Sequence, residues 1–267
     1  MARYPAAVNQ VPLIIEPDED EPDFASVRVD ATIAGRPYLM TLDTGAGQTV
    51  LDADDYTRGL TPLGEDSSTG VFGVPVVYPV VTITDLAVGP VRLATLDVSL
   101  SEHVAGGLLG MDVLGRHRCH FRLDDAILDV DPPPGTELDN ELLIDRRGHV
   151  LIEVHWPGAS ARAVWDTGST PTLVNRDFWL AHPELFEQIG LIEGTDAGGE
   201  RAQTPLLRMA ESIIGQRTFG PHKAVAVDLS PAMSTAEYPP DLILGYPTLR
   251  QADWLFDFPA RQWTLTK

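Results

Sequence analysis

Cysteine and basic residues are scarce in this 267-residue sequence. Its one cysteine, Cys119, excludes an intrachain disulfide framework, and we expect the thiol to be buried as a small apolar side chain. Only 19 Lys and Arg residues stand against 39 Asp and Glu, which gives a formal net charge of −20. Because such a surface repels phosphate backbones and anionic lipid headgroups, we expect neither nucleic acid nor a membrane as a partner.

Long apolar runs and several well-known enzyme motifs are also lacking. No segment approaches the roughly 18 consecutive apolar residues that a membrane helix requires. Residues 1–5 lack the basic start and the apolar core of a signal peptide, so we expect a cytoplasmic protein. The serine-hydrolase elbow, the phosphate-binding loop and the dinucleotide fingerprint are missing as well.

Short β-type runs separated by Gly, Pro and Asp dominate the chain, which predicts an all-β fold. A helical pattern occurs at 175–189, where His182-Pro183 predicts two short pieces rather than one helix. The acidic segment 16–23 lacks the spacing of a calcium loop and is interpreted as a solvated connector. The clearest strand patterns lie at 26–33, 38–42, 76–83 and 91–100.

Two parts of the chain repeat the same features in the same order. Asp-Thr-Gly occurs at 43–45 and again at 166–168, and an apolar pair followed by Gly occurs at 108–110 and at 243–245. A hairpin pattern follows each apolar pair. The repeat is too long for a solenoid unit, so it predicts two homologous lobes.

The repeat and a three-proline break at 132–134 predict the domain organisation. We expect an N-terminal strand and acidic connector at 1–25, a first lobe at 26–130, a Pro-rich linker at 131–141 and a second lobe at 142–267. A sheet joining the lobes should contain 11–15, 126–130, 142–144 and 262–266.

The two Asp-Thr-Gly triplets carry a recognisable chemistry. Each follows a β-run, so each aspartate should sit where a strand turns into a loop. Two carboxylates held close together cannot both ionise, and the pair then holds one proton between them. The ionised member can deprotonate a water while the protonated member polarises a carbonyl, which is acid–base hydrolysis of an amide.

These motifs resemble those of the aspartic peptidase clan, which contains the pepsins and the retroviral-type (retropepsin) proteases. The first triplet with Ala46 resembles the retroviral form, and the second triplet with Ser169 resembles the pepsin form. The resemblance implies an all-β, bilobal acid-protease fold, made as a single-chain fusion of two retroviral-type lobes. It also implies Asp43 and Asp166 as the catalytic pair, with loop support from Thr44, Gly45, Thr167 and Gly168.

Proteases of this clan close over the substrate with a glycine-containing hairpin flap, and 67–73 and 194–200 are the candidate tips. An ordinary hairpin tip is the simpler interpretation of either segment. The first tip contains Phe72 and no Tyr, so retroviral-type closure fits better than pepsin-like closure. The expected substrate-binding residues are Ala46, Ser169, Gly70, Phe72, Gly73, Gly198 and Gly199.

The sequence therefore predicts an aspartic endopeptidase that cleaves an extended peptide or protein segment and needs no metal or organic cofactor. We expect a monomer that contains an intramolecular pseudo-dimer. The alternative is a catalytically silent peptide-binding or scaffold module on the same fold. A metal site at 117–120 is disfavoured because His117 and His120 would lie on opposite faces of a strand.

Overall fold

The chain folds into two β-sheets that form two lobes, as the sequence predicts. The computed structural model describes residues 9–70, 74–195, 199–233 and 237–267. A 13-stranded sheet contains most of the first half of the chain, and a 10-stranded sheet contains most of the second half. The fold is therefore all-β and bilobal.

The strands are short and follow one another with few helices between them. Those of the first half are β1 (Gln10–Pro17), β2 (Ala25–Ile33), β3 (Arg36–Leu42), β4 (Val50–Asp52), β5 (Pro62–Thr69), β6 (Pro75–Val88), β7 (Val91–Ser101), β8 (Leu108–Leu109), β9 (Arg118–Arg122) and β10 (Ile127–Val130). Those of the second half are β11 (Asn140–Glu141), β12 (Leu143–Ile144), β13 (Val150–Trp156), β14 (Ala159–Trp165), β15 (Thr172–Asn175), β16 (Phe186–Thr195), β17 (Arg201–Met209), β18 (Ser212–Ile214), β19 (Arg217–Phe219), β20 (His222–Val227), β21 (Leu242–Leu244), β22 (Trp254–Asp257) and β23 (Gln262–Leu265).

The helices are all short. They are α1 (Met111–Leu114), α2 (Arg176–Ala181), α3 (Ser230–Met233) and α4 (Tyr246–Leu249), with 3₁₀ turns at Thr57–Gly59 and Pro183–Leu185. Within the four described stretches, no helix is long and apolar enough to cross a membrane.

Both halves of the chain contribute to one part of the larger sheet, which we call the interlobe sheet: β11, β23, β22, β9, β10 and β1 in that order. Its centre is the antiparallel pair β9–β22, in which Cys119 lies opposite Phe256. The predicted contributions of 11–15, 126–130 and 262–266 to this sheet are confirmed. The expectation for 142–144 holds only for Leu142, whose N–H donates to the carbonyl of Arg261, because Leu143 and Ile144 pair with β13 in the other sheet.

The predicted strands at 26–33, 38–42, 76–83 and 91–100 are confirmed, and β6 extends further to Val88. The helical prediction at 175–189 holds only in part. The chain makes α2 and a 3₁₀ turn on either side of His182, then enters β16 at Phe186. Pairing with β17 and burial of Phe186 against Trp156 and Phe178 outweigh the local helical pattern.

The strands that lead into the two triplets have the same surroundings in each lobe. β3 runs parallel to β8, with Leu42 opposite Leu109, and β14 runs parallel to β21, with Trp165 opposite Leu244. All four of these residues are almost completely buried. Each Asp-Thr-Gly triplet is therefore held beside an apolar-apolar-Gly segment by a buried parallel pair.

An aromatic cluster connects the second lobe to the interlobe sheet. The ring of Trp165 lies with its centroid 4.8 Å from that of Phe121 and 4.7 Å from that of Phe256. Trp254 stacks parallel to Phe256 at 6.2 Å. Cys119 beside this cluster is buried as predicted, and burial raises the pKa of its thiol well above the ordinary value.

We predict that Trp165→Ala lowers the free energy of unfolding by about 3–5 kcal/mol, because it removes the centre of the cluster. Trp165→Phe should cost less, since the buried indole N–H has no hydrogen-bond partner. Urea denaturation followed by circular dichroism measures both variants. Leu180→Ala, at a side chain that is 64% exposed, is the control. Equal losses in Trp165→Ala and Leu180→Ala would contradict the role of the cluster.

Candidate active site

The two Asp-Thr-Gly triplets begin where β3 and β14 end. The backbone N–H of Asp43 donates to the carbonyl of Leu109, and the N–H of Asp166 donates to the carbonyl of Leu244, both at 3.0 Å. The parallel pairing thus continues one residue beyond each strand. It fixes the direction in which each aspartate enters its loop.

Hydrogen bonds between the two threonine side chains and the opposite backbone lock the loops together. The hydroxyl of Thr44 donates to the carbonyl of Trp165 at 2.9 Å, and the hydroxyl of Thr167 donates to the carbonyl of Leu42 at 2.6 Å. In return, each threonine N–H donates to the other hydroxyl oxygen, at 3.2 and 3.1 Å. Both side chains are buried, so these bonds are shielded from water.

These four hydrogen bonds, which we call the threonine lock, bring the carboxyl groups of Asp43 and Asp166 together. The N–H of Gly45 donates to Oδ1 of Asp43 at 2.9 Å and to Oδ1 of Asp166 at 3.1 Å. Ala46 adds an N–H to Asp43 at 2.9 Å, and Gly168 adds one to Asp166 at 2.8 Å. One backbone amide therefore links the two aspartates across the lobes.

Close approach explains the glycine in each triplet. A Cβ on Gly45 would lie 2.5 Å from Cγ of Asp166, and a Cβ on Gly168 would collide in the same way with Asp43. A side chain at either position would push the carboxyl groups apart. The glycines are therefore required for the distance between the lobes as well as for the turn.

The electrostatics of the pair are unequal. Desolvation raises the pKa of Asp43 well above its usual value, and the charge of Asp166 together with the hydrogen bond between the two side chains raises it further. Desolvation also raises the pKa of Asp166, but the N–H of Gly168 and the hydrogen bond from Asp43 oppose the increase. The two carboxyl groups therefore hold one proton between them and titrate as a pair.

The apolar-apolar-Gly segments support the loops from beneath. The N–H of Met111 donates to the carbonyl of Ala46 at 2.8 Å, and the N–H of Tyr246 donates to the carbonyl of Ser169 at 3.1 Å. A Cβ on Gly110 would lie 2.7 Å from the backbone of Gln48. The glycine of this motif is thus the point at which two backbones touch.

A turn of the second half also packs on the first loop, and sequence reasoning missed it. Asp145 accepts hydrogen bonds from the N–H groups of Arg147 and His149 and lies 2.9 Å from Nδ1 of His149. Gly148 has a φ of +90° and faces Gly47, where any side chain would strike the carbonyl of Arg147. The charge of His149 is among the causes that hold down the pKa of Asp166.

The expected flap segments both lie at the ends of antiparallel hairpins. β5 and β6 pair up to Thr69 and Pro75, so Gly70 is at the tip, and β16 and β17 pair up to Thr195 and Arg201. A Cβ on Gly199 would lie 3.2 Å from Nδ1 of His103, so the second tip reaches the first lobe. Phe72, Gly73 and Gly198 lie outside the described residues.

Ala46 and Ser169, expected to bind substrate, lie in the aspartate loops, and each makes a hydrogen bond within its own loop. The hydroxyl of Ser169 donates to the carbonyl of Pro171 at 2.7 Å.

Thr49 and Thr172 were given no role from the sequence, yet each accepts a hydrogen bond from the glycine below its loop, Gly110 at 3.1 Å and Gly245 at 3.3 Å. The sequence could have indicated this role, because the two threonines follow Asp43 and Asp166 at identical spacing.

The side chains at 117–120 have separate partners. His117 contacts Asp131 at 2.9 Å, and His120 contacts Thr266 at 2.8 Å. The described part of the chain contains no group of three His, Cys, Asp or Glu side chains arranged to hold a metal ion.

Residues 29–116 match the family model of the gag-polyprotein putative aspartyl protease. The matched segment contains the first triplet and the first apolar-apolar-Gly motif. None of the curated proteins compared with the chain matches it.

We predict that Thr44→Val lowers the free energy of unfolding by about 2–4 kcal/mol, because the buried carbonyl of Trp165 and the N–H of Thr167 each lose a partner. Thr218→Val, at an exposed strand position, is the matched control and should change stability by less than about 0.5 kcal/mol. Chemical denaturation measures both. A Thr44→Val protein as stable as the control would show that the lock contributes nothing.

A second prediction concerns stability and pH. Because the folded protein raises the pKa of both aspartates, their contribution to stability is complete below the unfolded pKa of 3.8 and is lost as pH rises through the folded values. Asp43→Asn removes the raised group, so at neutral pH it should increase the melting temperature, by roughly 2–4 °C per kcal/mol of relieved repulsion. It should also flatten the fall of melting temperature with pH.

Calorimetry at a series of pH values tests this. Asp177→Asn removes a carboxylate at an exposed helix position and is the control. If Asp43→Asn and Asp177→Asn show the same pH dependence, the pKa of Asp43 is not raised.

Proposed function

We propose that the chain, whose residues 29–116 match an aspartyl protease family model, is an endopeptidase in which Asp43 and Asp166 activate a water molecule. The observation that carries the proposal is the amide of Gly45, which donates to an oxygen of each carboxyl group. Two carboxyl groups held around one position have the geometry that shared-proton catalysis requires.

The reaction follows from one proton held between the carboxyl groups of Asp43 and Asp166. The ionised group accepts a proton from the water while the water oxygen bonds to the carbonyl carbon of the peptide. The protonated group donates a hydrogen bond to the carbonyl oxygen and then transfers its proton to it. The tetrahedral diol collapses when the first group returns its proton to the leaving nitrogen and the second regains a proton from the diol, so the C–N bond breaks and the pair is restored.

The proposed substrate is an extended peptide that lies across the cleft under the hairpins β5–β6 and β16–β17. The contact between Gly199 and His103 supports this, since it brings the second hairpin to the first lobe. Beside His103 lies a cavity of about 440 Å³ with Leu60, Val81 and Leu100 in its wall. We propose that it accepts an apolar side chain of the substrate.

We further propose that the two lobes, 26–130 and 142–267, arose by duplication and act as a pseudo-dimer in a monomeric, cytoplasmic protein. Both aspartates and both threonines recur at the same spacing, and their hydrogen bonds are exchanged reciprocally between the lobes. A substrate is the expected partner, and neither nucleic acid nor a membrane is.

The decisive experiment incubates the purified protein with a peptide library between about pH 3 and pH 7 and identifies cleavage products by mass spectrometry. Asp43→Asn and Asp166→Asn should each reduce the rate roughly 10²- to 10⁴-fold, because each removes one half of the acid–base pair. Both variants should retain the circular dichroism spectrum of the wild type.

Asp177→Asn is the matched control and should cleave as the wild type does. Cleavage that survives in both active-site variants would contradict the assignment of the aspartates. If the wild type binds peptides but cleaves none at any pH, the silent binding module is the correct function.

A further inference from the structure

A chain of side-chain hydrogen bonds runs from the second active-site loop to a histidine. The N–H of Gly245 donates to Oγ1 of Thr172 at 3.3 Å, and Oγ1 of Thr172 lies 2.7 Å from Oγ1 of Thr248. Oγ1 of Thr248 lies 2.7 Å from Nε2 of His222. Both threonines are fully buried, so water does not compete for these bonds.

The carbonyl of Gly220 sets the direction of the bonds in this chain. The carbonyl of Gly220 lies 2.8 Å from Nδ1 of His222 and can only accept, so Nδ1 carries the proton. In the neutral ring Nε2 is then an acceptor. Thr248 must donate to it, and Thr172 must donate to Thr248. The amide nitrogen of Gln251 also lies 3.0 Å from Nδ1, but its two hydrogens have the carbonyls of Pro247 at 3.0 Å and Gly220 at 3.4 Å as acceptors.

The first lobe uses a different acceptor at the equivalent place. Thr49 accepts the N–H of Gly110 and donates to Oδ1 of Asp112 at 2.7 Å. In both lobes a threonine hydroxyl thus connects the aspartate loop to the glycine beneath it and needs an acceptor of its own. The second lobe supplies that acceptor through Thr248 and an imidazole.

We propose that His222 is a positioning residue for the second active-site loop. Its neutral imidazole orients Thr248 and Thr172, and so holds the segment from Asp166 to Thr172 against Gly245. Protonation at Nε2 turns the acceptor into a donor and forces both hydroxyls to reverse. Thr172 can still accept from Gly245, but its own hydroxyl hydrogen loses its acceptor in a fully buried place, which weakens the hold on the loop. Activity then falls on the acidic side for a reason separate from the aspartates.

The surroundings of His222 favour the neutral ring. His222 lines an open cavity of about 530 Å³ whose other charged groups are Asp23, Arg208, Lys223 and Arg250. Lys223 is paired with Asp23 at 3.1 Å and also with Glu21, and Arg250 lies 3.7 Å from Asp124. Burial of the ring lowers the pKa of His222 below 6.5, and the open cavity allows protons to reach it.

The first test needs no catalysis. Nuclear magnetic resonance of the wild type should give the Nδ1–H signature for neutral His222. The amide signal of Gly245 should shift with the same midpoint as the imidazole when pH is lowered. In Thr248→Val the Gly245 shift should no longer follow His222. An Nε2–H ring, or a Gly245 signal unaffected by the titration of His222, would overturn the proposal.

The second test uses peptide cleavage and therefore rests on the proposed function. Thr248→Val should reduce kcat roughly 10- to 100-fold through misplacement of the loop, with KM changed by less than about three-fold. Thr248→Ser keeps the hydroxyl and should restore kcat. His155→Gln, at an exposed histidine, is the control for general effects of losing an imidazole.

The two tests fail separately. If the wild type cleaves no peptide, the proposed function fails while the resonance experiment still decides the role of His222. If Thr248→Val retains its fold and the wild-type kcat across the pH range, His222 does not position the loop.

Discussion

The reciprocal hydrogen bonds of Thr44 and Thr167 are the interaction on which the site depends. Each hydroxyl donates to the carbonyl that precedes the other lobe's aspartate, so each lobe holds the backbone of its counterpart. The bonds are buried, and leaving any of these polar groups unpaired would be costly. Proximity of the two aspartates follows from the lock, and their mutual effect on pKa follows from proximity.

The two lobes are nevertheless chemically unequal. The amide of Gly45 donates to both carboxyl groups, whereas the amide of Gly168 donates to Asp166. The residue before the aspartate is Leu42 in one lobe and Trp165, the centre of the aromatic cluster, in the other. Thr49 of the first lobe donates to the carboxyl group of Asp112, whereas Thr172 of the second lobe is linked through Thr248 to the imidazole of His222. Asymmetry of this kind is available to a single chain, whereas two identical subunits would carry the same groups twice.

The features that could be predicted from the sequence are those written in local patterns. The strands leading to Asp43 and Asp166, the motifs at 108–110 and 243–245, and most of the interlobe sheet follow from short runs and their repetition. The pairing of Leu143 and the strand that begins at Phe186 could not be predicted in this way, because strands elsewhere in the sequence determine them. The hydrogen-bond chain to His222 could not be predicted from the sequence either, since Thr172 and Thr248 are separated by 76 positions.

The interlobe sheet has a consequence for the order in which the protein is made. β22 and β23 pair with β9 and β11, and every bond of the threonine lock joins residues more than 120 positions apart. A nascent chain on the ribosome that ends before residue 254 lacks the strands that hold the second lobe to the first. The protein therefore emerges without an assembled pair of aspartates and acquires one only after β22 and β23 have been made.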